Sequence, residues 1–294
     1  MTLDRRTIRR HFSQAAQQYD QHAGLQREVC QRLVERLDGL RFEPTQVLDL
    51  GCGTGFGQHL LGQRFPAARL LGVDLALPML ERARARAGWW QRLRGQRPRL
   101  ACGDAYALPV ASGSTDLVFS SLMLQWCDEP ERVLTELRRV LKPGGLLLLS
   151  TFGLDTLKEL RQAWGQVDGH DHVSRFTEVQ ALGSAITRSG FMEPVLDTDW
   201  LTTHYDKPLE LLQELKGIGA SNASQQRNPA LTAPRRLKAM LSHYEAFRLP
   251  DGRYPATWEV LYASAWAPEH GQALRLEGRE EASIPIDQIK VRQR

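Results

Sequence analysis

The run Val47-Leu-Asp-Leu-Gly-Cys-Gly-Thr-Gly-Phe-Gly57 joins an apolar segment to a helical pattern through a glycine-rich turn. Val47 to Leu50 reads as a short buried strand, and Phe56 to Arg64 as the helix that follows. Glycines at 51, 53 and 55 let the backbone bend sharply and let a ligand approach where a Cβ would stand in the way. The spacing rules out a dinucleotide fingerprint, Gly-x-Gly-x-x-Gly. Counted from Gly51, Gly53 and Gly55, the third position is Phe56, Gln58 and Leu60. Asp49, just before the turn, would repel a pyrophosphate and attract a cation.

Outward from this turn, strands and helices alternate. Leu70 to Val73 is a strand ending at Asp74, and Pro78 to Arg92 a helix with proline in its first turn, where it is tolerated. Arg99 to Cys102 and Leu117 to Ser120 are strands. Pro130 to Leu141 is a helix stopped by Lys142-Pro-Gly-Gly145, and Leu146 to Thr151 is a further strand. Such alternation predicts a parallel sheet covered by helices on both faces. Upstream, residues 4 to 40 read as helix, in two stretches, the second from Leu25 to Leu40. Downstream, Thr156 to Trp164 and Thr177 to Ser189 read as helices, and Val195 to Leu201 and Trp258 to Trp266 as strands. Pro208 to Phe247 is helix-forming but broken at Gly217, Gly219 and Pro229. The expected organisation is N-terminal helices covering the site (1–44), a core (45–207), a helical insertion or lid (208–250), a last core strand (251–268) and a polar tail without structural signal (269–294).

The chain has 294 residues, 42% hydrophobic and 24% charged, the composition of a globular protein. No apolar run approaches the roughly 20 residues needed to cross a bilayer, and no apolar stretch follows the basic N-terminus. No membrane association and a cytoplasmic location are expected. Cys30, Cys52, Cys102 and Cys127 are irregularly spaced, which fits neither a disulfide framework nor a zinc site. His170-Asp171-His172 reads as a polar loop, and no metal is expected. The 38 basic and 34 acidic residues leave a net charge of +4, unevenly spread. Arg5, Arg6, Arg9 and Arg10 crowd the N-terminus, and seven arginines fall between Arg82 and Arg99. These are either solvated helix faces or a docking surface for an anionic macromolecule.

The strand ends carry further chemistry. A carboxylate at Asp74 can accept hydrogen bonds from both hydroxyls of a ribose. Gly103-Asp104-Ala105 closes the third strand, where an acid can face an adenine amino group. These positions lie at carboxyl ends of neighbouring strands, where open parallel sheets bind ligands.

Asp49-Leu-Gly-Cys-Gly-Thr-Gly55, Asp74, Gly103-Asp104-Ala105 and Leu141-Lys-Pro-Gly-Gly145 together resemble the class I S-adenosylmethionine-dependent methyltransferases, over residues 45 to about 152. The resemblance implies a Rossmann-like α/β fold of seven strands, the last antiparallel, with S-adenosylmethionine as cofactor. It also implies a cofactor site of Asp49, Gly51, Cys52, Gly53, Gly55, Asp74, Leu75, Met79, Asp104, Ala105 and Ser120. The flanks are similar to the malonyl-acyl carrier protein O-methyltransferases of biotin synthesis, at Phe12-Ser-Gln-Ala-Ala-Gln-Gln-Tyr19, Leu124-Gln-Trp126, Leu215-Lys-Gly-Ile-Gly-Ala-Ser-Asn222, Tyr244-Glu-Ala-Phe-Arg248 and Thr257-Trp-Glu-Val-Leu-Tyr262. That family implies a carboxyl acceptor on an acidic carrier protein. Tyr19, Lys216 and Asn222 are then the catalytic candidates, and Trp126 and Arg175 the substrate-binding ones. Ala76-Leu77 departs from the pattern, which often has a serine after the ribose aspartate, and the arginine-rich stretch has no counterpart in it.

After the fourth strand the chain reads Ser120-Ser-Leu-Met-Leu-Gln-Trp126, not the Asn/Asp-Pro-Pro-Tyr of many nitrogen methyltransferases. An acceptor that arrives already nucleophilic, as a carboxylate does, agrees with this. A free small-molecule acceptor and an RNA acceptor are the competing readings. Against RNA, the arginines lack interleaved aromatics other than Trp89 and Trp90. No nucleic-acid partner and a monomer are expected.

Overall fold

The computed structural model describes residues 3–86, 99–222, 233–269, 273–276 and 279–282. Seven strands form one sheet: β1 (Gln46–Leu50), β2 (Arg69–Asp74), β3 (Arg99–Cys102), β4 (Thr115–Ser121), β5 (Leu141–Phe152), β6 (Met192–Tyr205) and β7 (Tyr254–Trp266). Their order is β3-β2-β1-β4-β5-β7-β6. β1 to β5 pair in parallel, and β7 runs antiparallel to both of its neighbours.

Ten α-helices accompany the sheet among the described residues. Three precede it: α1 (Arg5–Ala15), α2 (Tyr19–His22) and α3 (Gly24–Glu35). Within it lie α4 (Phe56–Arg64), α5 (Leu77–Arg86), α6 (Pro130–Val140), α7 (Lys158–Gly165), α8 (Val179–Arg188), α9 (Pro208–Gly217) and α10 (Pro234–Tyr244). Side chains alternate along each strand, so the sheet has two apolar faces. Val47, Phe119 and Leu148 meet Leu33 of α3, Leu61 of α4 and Met240 of α10 on one side. Leu48, Val118 and Leu147 meet Leu134 of α6 and Ile186 of α8 on the other. No helix among the described residues is long and apolar enough to cross a membrane.

The structure corrects the element readings in three places. The N-terminal segment is three helices rather than two, and α3 stops at Glu35, ahead of a turn in which Gly39 has φ +83°. Lys142-Pro-Gly-Gly145 does not separate a helix from a strand. It lies inside β5 as a bulge, since Thr115 pairs with Leu141 and Leu117 with Leu146. A left-handed Gly144, with φ +70°, makes the extra loop possible, and Lys142 Nζ pins it to Asp116 at 2.6 Å. The polar tail holds a hairpin, β8 (Ala273–Leu276) against β9 (Arg279–Ala282), where no element was expected. The predicted helix beyond Arg86, Trp89, Trp90, three of the arginines (Arg92, Arg94 and Arg97), Pro229 and most of the tail lie outside the described residues.

Candidate active site

Strand order reverses between β1 and β4, which opens a crevice at their carboxyl ends. The glycine turn forms its floor. Gly51 and Cys52 donate backbone N–H bonds to Val73 O, at 2.8 and 3.2 Å, tying the turn to the end of β2. Gly51 has φ +72°, and a Cβ there would lie 2.6 Å from Met123 Cγ. Gly55, with φ +82°, heads α4 and lets α5 approach: a Cβ would sit 3.0 Å from Ala83 Cβ. Both conformations favour glycine over any residue with a side chain.

The cleft has an empty volume of about 1190 Å³, part of it open to solvent. One wall comes from the strand ends: Asp49, Asp74, Asp104 and the Ser121–Leu122–Met123 run after β4. The opposite wall comes from the N-terminal helices, through Ile8 and Phe12 of α1, Tyr19 of α2, and Gln26, Arg27 and Cys30 of α3. Phe12 and Tyr19 pack with Ala16 against Ala76 and Met79, and Phe12 meets the edge of Trp126 at 5.2 Å.

Charge decides what the cleft can hold. Asp49 is 3% exposed, and its Oδ2 has no hydrogen-bond partner. Burial, then the charge of Asp74, pushes its pKa up to about 7, while a backbone N–H bond at Gln58 pulls the other way. Asp74 is raised as well, by burial, although Ala76 N–H and Gly53 N–H donate to its two oxygens at 2.8 and 2.9 Å. Burial likewise raises the Tyr19 phenol and the thiols of Cys30 and Cys52, and carries Cys127 up to about 12. These groups stay protonated at neutral pH. The cleft therefore offers two crowded carboxylates and no thiolate, a setting that favours a bound cation.

Polar latches close the N-terminal wall onto the core. Arg5 Nη1 donates to Asp104 Oδ2 at 2.9 Å and lies over the Tyr106 ring. Thr54 Oγ1 and Arg86 Nη2 both donate to Asp20, each at 2.6 Å, and Arg27 Nη1 donates to Asp20 O at 2.6 Å. Ion pairs this exposed contribute about 1 kcal/mol or less each, so the apolar contacts of Phe12 and Tyr19 hold the wall more firmly.

Of the residues singled out from sequence, Tyr19, Asp49, Gly51, Cys52, Gly53, Asp74, Leu75, Met79, Asp104, Ala105 and Trp126 line the cleft, and Gly55 shapes it. Four do not reach it. Ser120 is turned away and donates to Leu50 O at 3.0 Å; its neighbour Ser121 faces the cleft. Lys216 is exposed on α9, whose buried side, at Leu211 and Gly217, faces inward. Arg175 projects into solvent, its side chain 76% exposed, 3.7 Å from Asp171. Asn222 donates to Asp171 O. The His170-Asp171-His172 loop is structural, with His172 Nε2 2.8 Å from Asp168 and its ring stacked on Trp164. Sequence reasoning missed Gln26, Arg27, Cys30, Asp20 and Thr54. The helical spacing of Gln26 and Cys30 was a signal, but nothing local said which face of α3 meets the cleft.

The fold and this acidic, glycine-floored cleft define an S-adenosylmethionine-dependent methyltransferase of class I. Residues 48–149 match the family model described as a methyltransferase domain. The YcgJ protein of Bacillus subtilis superposes with a TM-score of 0.58 at 17% identity, over 82% of this chain and 99% of that one, a likeness of fold. A malonyl-acyl carrier protein O-methyltransferase of Xylella fastidiosa is 46% identical over 288 residues, covering 98% of this chain and 96% of the relative. One from Gallionella capsiferriformans is 44% identical, covering 90% and 92%. The chain belongs to the malonyl-acyl carrier protein O-methyltransferase family.

Proposed function

We propose that the chain moves the methyl group of S-adenosylmethionine onto the free carboxylate of a malonyl group carried as a thioester on acyl carrier protein, in the service of biotin synthesis. The product is a methyl ester without the terminal charge. An apolar acyl tunnel would resist that charge, since burying an unpaired ion costs several kcal/mol. The observation that carries the reading is the chemistry of the cleft. Its described lining has no histidine, lysine or glutamate, and its thiols and Tyr19 are held protonated. Of its four aspartates, Asp20 is taken by Thr54 and Arg86, and Asp49, Asp74 and Asp104 would face the cofactor. Such a cleft suits an acceptor that is already ionised.

The cleft fits the cofactor. The bare buried oxygen of Asp49, with Gln26 Oε1 also buried and unpartnered, would meet the cofactor's ammonium group. Arg27 is the one arginine of the described lining without a carboxylate partner, and would face the cofactor's carboxylate. Asp74 would accept the ribose hydroxyls and Asp104 would face the adenine. When bound, the cofactor supplies a methyl made electrophilic by its sulfonium. Phe12, Tyr19 and Trp126 would exclude water around it, and the walls would hold the acceptor in line.

Parallel assays with malonyl-carrier protein, malonyl-CoA, free malonate and tRNA test the proposal. Labelled methyl should go fastest to malonyl-carrier protein; preferential labelling of malonate or tRNA would overturn it. The acceptor's charge state gives a second check. A malonyl carboxylate titrates near 3.3–3.7 and needs no base at neutral pH. Single-turnover transfer at saturating cofactor is therefore expected to vary less than about twofold from pH 6.5 to 8.5. A tenfold rise across that window would point to an amine or phenol acceptor. Cofactor affinity, by contrast, should weaken below about pH 7, as Asp49 takes up its proton.

A further inference from the structure

The inner and outer faces of α1 have different jobs. Arg5, Ile8 and Phe12 line the cleft. Arg6, Arg9 and Arg10 lie on the outside, exposed, spaced three and four apart so that they share one surface. We propose that this outer face of α1 is the docking surface for an acidic carrier protein. The inference rests on the reading of the substrate given above, and adds to it the place where the carrier sits.

Three observations carry it. First, Arg5 has its anion in Asp104, but Arg6, Arg9 and Arg10 have no acidic partner among the described residues. Second, the arrangement opposes the stability of the helix itself. Arg6 and Arg10 are four apart, as are Arg5 and Arg9, and like charges at that spacing repel. They also crowd the N-terminal turns, where the helix dipole disfavours cations, and α1 contains no acidic residue. Asp4 answers only in part, capping the helix by accepting from Arg6 N–H and the Thr7 hydroxyl, at 3.0 and 2.6 Å. Local conflicts of this kind are expected at functional surfaces. Third, the same helix walls the cleft through Arg5, Ile8 and Phe12, so a partner docked on its outer face sits one helix away from the site that its acyl arm must reach. α5, packed against α1, adds the exposed Arg82. A partner rich in carboxylates complements this face in sign, and electrostatic complementarity chiefly sets encounter and orientation.

The test is the triple variant Arg6→Gln, Arg9→Gln, Arg10→Gln, assayed on malonyl-carrier protein and on malonyl-N-acetylcysteamine, a small thioester without a carrier. KM for the carrier substrate should rise about tenfold or more, with kcat and the small-thioester KM within about twofold of the parent. Raising salt from about 50 to 300 mM should raise the parent's carrier KM and leave the variant's nearly unmoved. The matching triple lysine variant should keep most of the parent's affinity. An unchanged carrier KM, or equal damage on both substrates, would overturn the proposal. So would tighter binding of RNA than of carrier protein to the parent at equal salt. No transfer at all from the parent chain to malonyl-carrier protein is a separate result, which removes the substrate reading and the docking site with it.

Discussion

Replacing Asp49 by asparagine is expected to stabilise the ligand-free protein above pH 7 and to cripple its hold on S-adenosylmethionine. Asp49 is buried with one bare oxygen, and its pKa in the folded protein is about 7, against 3.8 for an ordinary aspartate. The sign follows from proton counting. Below about pH 4 both folded and unfolded chains hold the proton, and Asp49 contributes its full stability. From there to pH 7 the unfolded chain has released it and the folded chain has not, so stability falls as pH rises. Above pH 7 the folded protein carries an unpaired buried charge. Asparagine removes that cost, and thermal unfolding at pH 8 should gain on the order of 2–4 kcal/mol, a gain that fades towards pH 4. Removing one partner of a buried charge pair costs about 3–5 kcal/mol, so the cofactor's Kd should rise at least about a hundredfold. Calorimetric titration at pH 8 with unchanged affinity would show that Asp49 does not face a cation, and a variant no more stable than the parent there would show that burial does not raise its pKa.

Asp74→Ala should weaken S-adenosylmethionine by about 1.5–3 kcal/mol, the worth of hydrogen bonds to a charged group. The structure adds a second consequence. The carboxylate already accepts from Gly53 N–H and Ala76 N–H, so it holds the glycine turn in shape before any ribose arrives. Its loss leaves two backbone donors without an acceptor and should slacken the turn. A 2′-deoxy analogue of the cofactor separates these effects. The parent should prefer the natural cofactor over the analogue by tenfold or more, and the alanine variant should bind both alike. If the variant keeps the parent's preference, Asp74 supports the turn and does not read the ribose.

The strand pattern from Val47 to Thr151 was legible because neighbouring residues decide it. Short continuous apolar runs, the proline inside the first turn of α5 and the glycine spacing at 51, 53 and 55 are all short-range signals. Where a signal depended on a partner strand, it misled: Lys142-Pro-Gly-Gly145 looks like a stop, yet its pairing with β4 makes it a bulge. Ser120 shows how narrow the margin is. Successive strand residues face opposite sides, so a slip of one residue exchanged the buried Ser120 for the cleft-lining Ser121.

The sequence alone determined the alternating α/β layout, the glycine turn and the acidic residues at three strand ends, because each is written in the period or turn chemistry of a single segment. Tertiary structure alone decided which flanking residues join them. Gln26, Arg27 and Cys30 came to the cleft because α3 lays its apolar side, Val29 and Leu33, on the sheet beside it. Lys216, Arg175 and Asn222 stayed away because α9 and the loop near Asp171 bury other residues and leave these outside the cleft. Helical period says which residues share a face. Only packing against distant segments says what that face meets.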